Sequence, residues 1–478
     1  MNLYVKNNPF WFELENLTRL YFPNEKITVF KEFDSIEKPF IYASVFDKIR
    51  VRVSLGGFDR EETAALGADK NETELHTVQL LYRILRDFSG ISQPWGLLTG
   101  VRPVKLLRNL SAEHGKDEAR RRFSDEFFVS EEKLRLAAQT EENEAKILSL
   151  SKPESFSLYV GIPFCPSRCS YCSFVMASVE RAKKLTEPYV ELLCRELRET
   201  AGVAAALGLR LESVYFGGGT PTALSAEQLN TVLKTVRNSF DLSSCREFTV
   251  EAGRPDTIDK ERLGSLKENH VGRISINPQT LNPETLEKIG RRHTVEDFYR
   301  AFELARSCGF DNINTDLIAG LPGDSAESFE HSLDEILRLN AESVTVHTLC
   351  VKRAATLTTE GVTLDRDDAD RARRMINYAQ GRLMESGYLP YYLYRQTRMV
   401  GNLENVGWAK KGCESYYNVY VMDETHTILA CGSGGVSKLK NYRTGSLERI
   451  FNFKYPYEYI DRFDELIKRK QAITRFYG

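Results

Sequence analysis

The sequence has no long apolar run. Nowhere does one approach the roughly 20 residues that a bilayer span needs, and the opening MNLYVKNNPFWFELENL lacks the basic flank and apolar core of an export signal. A cytoplasmic protein is therefore expected. It also lacks an excess of either charge: 65 Lys and Arg stand against 67 Asp and Glu. A chain that coats nucleic acid normally shows a basic surplus, so that class of partner is not expected. Cysteine is scarce, with 9 in 478 residues. That odd, low number argues against a disulfide framework and for metal or catalytic use of some of the thiols. No solenoid-type repeat and no low-complexity tract is visible. What remains is ordinary globular composition in a chain too long for one core, and two or three domains are expected.

Residues 1–152 mix short β-like runs (KITVF, IRVRVSL) with helical stretches (ETELHTVQLLYRILRDF), which reads as an α+β domain. Within it WGLLTGVRPVKLLRNL joins a glycine-containing turn to a basic amphipathic segment, and the role of this domain is not legible. Lys152-Pro153 marks the first boundary. Over 153–387 the pattern becomes strand then helix, six times, beginning with SLYVGIPF and EPYVELLCRELRETAGVAAAL and ending with SVTVHTLCV and DADRARRMINYAQGRLMES. Such alternation implies a parallel sheet with right-handed crossovers, an α/β partial (β/α)6 barrel with its functional residues at the C-terminal strand ends. Ser225 with Gln228 fits a helix capping box. Over 388–478 the alternation stops; YLPYYLYRQT, YNVYVM and HTILACGSGG read as strands of a smaller α+β domain covering the barrel mouth, and EYIDRFDELIKRKQAI as a surface or packing helix.

The stretch VGIPFCPSRCSYCSF places Cys165, Cys169 and Cys172 in a C-x3-C-x2-C array directly after the first barrel strand. Thiolates select soft metals and iron–sulfur clusters, and three ligands leave one iron of a four-iron cubane open for chemistry. A three-cysteine zinc site completed by a remote histidine is the alternative, with no His in or just beyond the loop. After the second strand comes YFGGGTPTAL, whose glycines permit positive φ and close approach of a ligand to bare backbone. The remaining cysteines, Cys194, Cys245, Cys308, Cys350, Cys413 and Cys431, read as packing, and His347 as a structural histidine on the active rim.

The cysteine loop and glycine run together resemble the radical S-adenosylmethionine (SAM) superfamily. YVGIPFC, CSYCSF, GGGTPT, TVEAGRPDTI, RISINPQTLN, IGRRHT and NTDLIAGLPGD further resemble, in order and character, its oxygen-independent coproporphyrinogen III oxidase-like group. LLTGVRPVKLL and GNLENVGWAKKG resemble the HemZ-type branch, related to the HemN oxidases and HemW heme chaperones. The resemblance implies a [4Fe–4S] cluster held by Cys165, Cys169 and Cys172, and SAM contacted by Tyr159, Tyr171, Gly218, Gly219, Thr220, Glu251, Gln279, Arg291 and Asp316. It implies a tetrapyrrole substrate, an external one-electron donor such as a flavodoxin or ferredoxin, and oxidative decarboxylation of coproporphyrinogen III to protoporphyrinogen IX. Heme delivery, or radical chemistry on another tetrapyrrole, is the alternative. Two departures bear on that choice. The oxidase pattern adds a cysteine where this chain has Phe174, a feature shared with the chaperones. The chaperones' HN-x-x-YW segment is here Tyr417-Asn418 followed by Val421-Met422.

Overall fold

The computed structural model describes residues 1–174, 176–351 and 365–477. They form two compact units.

The first unit holds Met1–Ala138, residues 365–370 and Tyr394–Glu404. Its sheet runs in the order β2-β1-β3-β4-β5, with β1 (Asn2–Lys6), β2 (Thr28–Phe30), β3 (Phe40–Val45), β4 (Ile49–Leu55) and β5 (Phe58–Ala64). The alternation read in IRVRVSL is real: Ile49, Val51 and Val53 are buried while Arg50 and Arg52 are exposed. Helix Lys70–Ser89, N-capped by the Asp69 side chain and ended by left-handed Gly90, buries Leu81, Ile84 and Leu85 in the same core. Trp95 from the WGLLTG segment donates through Nε1 to Glu404 Oε2 at 2.7 Å, and Lys133 pairs with the other oxygen of that carboxylate at 2.7 Å. Arg395 donates to the Leu98 carbonyl at 2.6 Å. The motif left mute by the sequence therefore holds a returning stretch of chain, 394–404, in the N-terminal unit.

The second unit, Gln139 to residue 351 with Arg371–Leu393 and Asn405 to residue 477, is built on an eleven-stranded sheet. At its centre lie six adjacent parallel strands, β6 (Ser155–Ile162), β9 (Arg210–Gly218), β10 (Glu247–Glu251), β11 (Arg273–Ser275), β12 (Ile313–Ala319) and β13 (Ser343–Thr348). Helices follow each strand, among them Val179–Ala206, Ala226–Ser239 with the expected Ser225/Gln228 capping box, and Val295–Ser307. The strands are buried almost throughout, as parallel strands covered on both faces must be. Two short strands, β7 (Phe164–Cys165) and β8 (Ala177–Ser178), close the base of the cysteine loop.

The chain after 388 extends both edges of this same sheet. β15 (Asn405–Ala409) runs antiparallel to β13 with β14 (Leu389–Tyr394) beyond it, while β16 (Thr427–Cys431) runs parallel to β6 and leads into the antiparallel β17 (Val436–Lys440) and β18 (Leu447–Phe451). The YNVYVM segment is not a strand but helix Tyr416–Asp423. Its start is fixed by Ser415, whose Oγ accepts from the Asn418 amide, and by Glu247, whose carboxylate accepts from the Ser415 hydroxyl and the Tyr417 amide. Local β propensity loses there to a capped turn on a buried carboxylate. EYIDRFDELIKRKQAI is two helices, Pro456–Asp461 and Phe463–Tyr477, broken at Arg462.

Candidate functional site

The residues expected to act gather at the C-terminal ends of the six parallel strands in two adjoining groups. The first surrounds the cysteine loop. Cys165 Sγ lies 3.4 Å from the Thr220 hydroxyl, and Arg254 donates through Nη1 to Cys169 Sγ at 3.5 Å. Arg291 is buried; it donates to the Asn277 carbonyl at 2.5 Å and the Tyr171 hydroxyl at 3.2 Å. The loop is pinned to the segment after β11 by the Ser170 amide on the Ile289 carbonyl at 3.0 Å. Gly219 stands between loop and strand: a Cβ there would lie 2.6 Å from the Phe164 carbonyl and 3.0 Å from Cys165 Sγ. Gly218 has φ +105°, a conformation open to glycine and strained for other residues.

The second group lines the strand ends opposite. Tyr215 donates to Glu251 Oε1 at 2.5 Å, and Glu251 also approaches the bare Cα of Gly217, where a Cβ would be 3.2 Å from Oε2. Tyr159 completes this corner, its hydroxyl 3.4 Å from where a Gly218 Cβ would be. Asp316 accepts from Asn314 Nδ2 at 2.7 Å and faces His347 Nε2 at 3.7 Å. Gln279 belongs to this second group. Its amide donates to the Asp316 carbonyl and its carbonyl accepts from Ile318, with φ at +71°, a left-handed conformation uncommon outside glycine.

Burial sets the electrostatics of both groups. It pushes the Cys165 thiol up to about 12 and raises Cys172 as well, so a bound metal's charge must draw off the protons. Burial raises Tyr171 and Tyr159 above the usual phenol range. Arg291 is held above its ordinary value, because Tyr171 and Cys169 outweigh the burial that would lower it. Desolvation lifts Glu251 to about 7, against the pull of Tyr215. Asp316 goes the other way: burial would raise it, but His347 and Asn314 hold it below the usual carboxylate range.

The donor set fits an iron–sulfur cluster and a polar ligand beside it. Three soft thiols sit on one loop, flanked by the guanidinium groups of Arg254 and Arg291. Among the described residues no three His, Cys, Asp or Glu side chains gather as a single metal ion requires. At the same strand ends, Gln279 Oε1, Asn277 Oδ1 and Arg291 Nε are buried without a partner in the protein. Buried polar atoms cost free energy unless something bonds to them, and these three are of the kinds that bind an amino acid or a ribose.

Sequence reasoning missed Tyr215, Arg254, Asn277 and Tyr417. Period-two reading would have found two of them, since Tyr215 and Gly217 share one face of β9, and Asn277 and Gln279 alternate after β11. Tyr417 carried no such signal. Its ring stacks on Tyr215 (centroids 4.4 Å apart, planes at 18°) and on Tyr159 (6.2 Å, 19°), which places it behind the Glu251 corner. Among the cysteines read as packing, Cys431 is fully buried, donating to the Thr200 hydroxyl at 3.3 Å.

Residues 159–336 match the model of the radical SAM superfamily. The chain is 38% identical over 431 residues to the oxygen-independent coproporphyrinogen-III oxidase-like protein HemZ of Bacillus subtilis, covering 87% of this chain and 86% of that relative. It is 40% identical over 200 residues to the heme chaperone HemW of the same organism, covering 41% of this chain and 51% of the relative. Among solved structures, coproporphyrinogen III oxidase (HemN) from Escherichia coli superposes with a TM-score of 0.53 at 22% identity, over 67% of this chain and 71% of that one.

Proposed function

We propose, from the premise that this chain belongs to the radical SAM superfamily and within it to the oxygen-independent coproporphyrinogen-III oxidase-like family, that it catalyses SAM-dependent oxidative decarboxylation of coproporphyrinogen III to protoporphyrinogen IX. Its cofactors are a [4Fe–4S] cluster and SAM. When bound and supplied with an electron, they furnish a 5′-deoxyadenosyl radical able to take a hydrogen atom from the β-carbon of a propionate. Loss of CO2 from that propionate, with one electron passing to an external one-electron acceptor, would then leave a vinyl group.

In this reading Cys165, Cys169 and Cys172 hold the cluster. Arg291, whose donors face the loop, pairs with the methionine carboxylate of SAM, and Gly218, Gly219 and Thr220 line its amino group. Glu251 and Asp316 accept from ribose hydroxyls, with Tyr159, Tyr171 and Gln279 closing the pocket around them. Unpartnered buried polar atoms at the strand ends carry the reading: Gln279 Oε1, Asn277 Oδ1 and Arg291 Nε suit a ligand rich in amino, carboxylate and hydroxyl groups. Residues 153–387 supply this barrel, residues 1–152 and 388–478 the flanking domains, with no nucleic acid as partner.

A second reading, heme delivery, is favoured by Phe174 in the place of the oxidases' further cysteine. Against it, the residue in the place of the chaperone histidine is Tyr417, and its ring is committed to the stack with Tyr215 and Tyr159. Anaerobic incubation with SAM, dithionite and coproporphyrinogen III separates the two. Protoporphyrinogen matched by 5′-deoxyadenosine supports the decarboxylase; stable stoichiometric heme binding with no change in the porphyrin supports delivery.

A further inference from the structure

A groove of about 820 Å3 lies against the cysteine loop. One wall is Ser167 and Arg168, between two of the cysteines; another is the start of helix Val179–Ala206 with Glu180 and Arg181; the third is the segment from Gly290 to Glu296. Of the residues lining it only Arg291 has a role assigned above, and its terminal nitrogens are turned to the Asn277 carbonyl and the Tyr171 hydroxyl. Four guanidinium groups line it (Arg168, Arg181, Arg291 and Arg292) against three carboxylates (Glu180, Glu287 and Glu296). Exposed Lys183 and Lys184 follow Arg181 on the same helix, in a chain whose net charge is −2. Arg292 and Glu180 form an ion pair of 3.6 Å with side chains 67% and 74% exposed. Such a pair contributes little and exchanges readily for a partner's carboxylate.

The wall behind the groove is a continuous bonded path to a thiol. Ser167 lines the groove, its hydroxyl donates to the Gly290 carbonyl at 3.1 Å, and Arg254 Nη2 donates to that hydroxyl at 3.0 Å. The other terminal nitrogen of Arg254 reaches both the Ser167 carbonyl and Cys169 Sγ at 3.5 Å. Phe174, 64% exposed two residues beyond Cys172, adds an aromatic surface to the same loop.

We propose that this groove docks a small acidic one-electron carrier protein, whose electron crosses the Ser167–Arg254 wall to the cluster beside Cys169. The step moves one electron and makes or breaks no bond: the carrier is oxidised by one electron and the cluster reduced by one. The proposal rests on the radical SAM reading. Charge steering of this kind acts on association and fades with salt.

The test pairs two reductants and a binding measurement on the full-length, cluster-loaded protein. The variant Arg181→Glu/Arg292→Glu, its neutral counterpart Arg181→Gln/Arg292→Gln and a distant reversal, Arg338→Glu, are compared with the parent chain. Interferometry reads binding of an oxidised flavodoxin at low and at physiological salt. Mass spectrometry reads 5′-deoxyadenosine formed with reduced flavodoxin or with dithionite. The expected result is a loss of about tenfold or more in flavodoxin binding and flavodoxin-driven product for the double reversal. The neutral pair should lose less, while Arg338→Glu and every dithionite-driven rate stay at the parent level. Unaltered flavodoxin binding in the double reversal, or an equal loss with dithionite, would overturn the docking site. A parent protein that makes no deoxyadenosine even with dithionite would instead sink the radical reading, and the interferometry would still judge the groove.

Discussion

Glu251 carries the sharpest electrostatic conflict at the residue scale. Its carboxyl is lifted to about 7 by desolvation, so between an ordinary value near 4.5 and about 7 the folded chain holds a proton that the unfolded chain has shed. Stability therefore falls as pH rises across that window, by on the order of 3 kcal/mol at most. Glu251→Gln should flatten this part of the pH dependence in SAM-free protein, measured by urea unfolding at pH 5, 6, 7 and 8; an unchanged slope would contradict it. Gly219→Ala tests the other corner. Its methyl would meet the Phe164 carbonyl and Cys165 Sγ, so iron and sulfide content should drop while the helical signal persists; full cluster loading would contradict it. Such residues were legible to different degrees. The cysteines and glycines announced themselves by type and spacing. Arg291 did not, because an Arg-Arg pair reads equally as a charged surface until a buried loop closes over one of the two. Tyr417 was invisible as a site neighbour, since its partners Tyr215 and Tyr159 are some 200 residues away and more.

At the scale of elements, six strands and their helices were legible because each has its own period and its own caps, as at Ser225 and Gln228. The helix Tyr416–Asp423 was not. Its aromatic and β-branched residues favour a strand, and what decides for helix is Glu247, from a distant strand, receiving its first turn. The C-terminal helix Phe463–Tyr477 is tied down more firmly than its charged sequence suggested. Lys470 is buried, pairs with Glu196 at 3.0 Å and donates to the Ala430 carbonyl at 2.7 Å. Glu196 also accepts from Gly432, Asn452 and Tyr459. Removing one partner strands the other charge, so Lys470→Met should cost about 3–5 kcal/mol in urea unfolding. Lys470→Met combined with Glu196→Gln should recover part of that loss, and a strictly additive double variant would contradict the pairing.

At the scale of the whole molecule, chain order hides strand pairing. Strands after 388 complete both edges of the barrel sheet, and residues 394–404 return to the N-terminal unit. A truncation that removes residues 1–138 would therefore leave Glu404 without Lys133 and Trp95, and Arg395 without the Leu98 carbonyl. Such a chain should aggregate on size-exclusion chromatography, whereas Trp95→Phe should stay monodisperse and lose about 1–3 kcal/mol; a stable, monodisperse truncation would contradict the latch. What remains to be tested is the proposed hydrogen-atom removal from a propionate side chain of coproporphyrinogen III. Its most direct measurement uses coproporphyrinogen III deuterated at the propionate β-carbons, with SAM and dithionite under anaerobic conditions, and the mass of the 5′-deoxyadenosine formed. Deuterium in 5′-deoxyadenosine alongside vinyl-bearing product is the expected result. Deoxyadenosine without deuterium, beside an unaltered porphyrin, would contradict it.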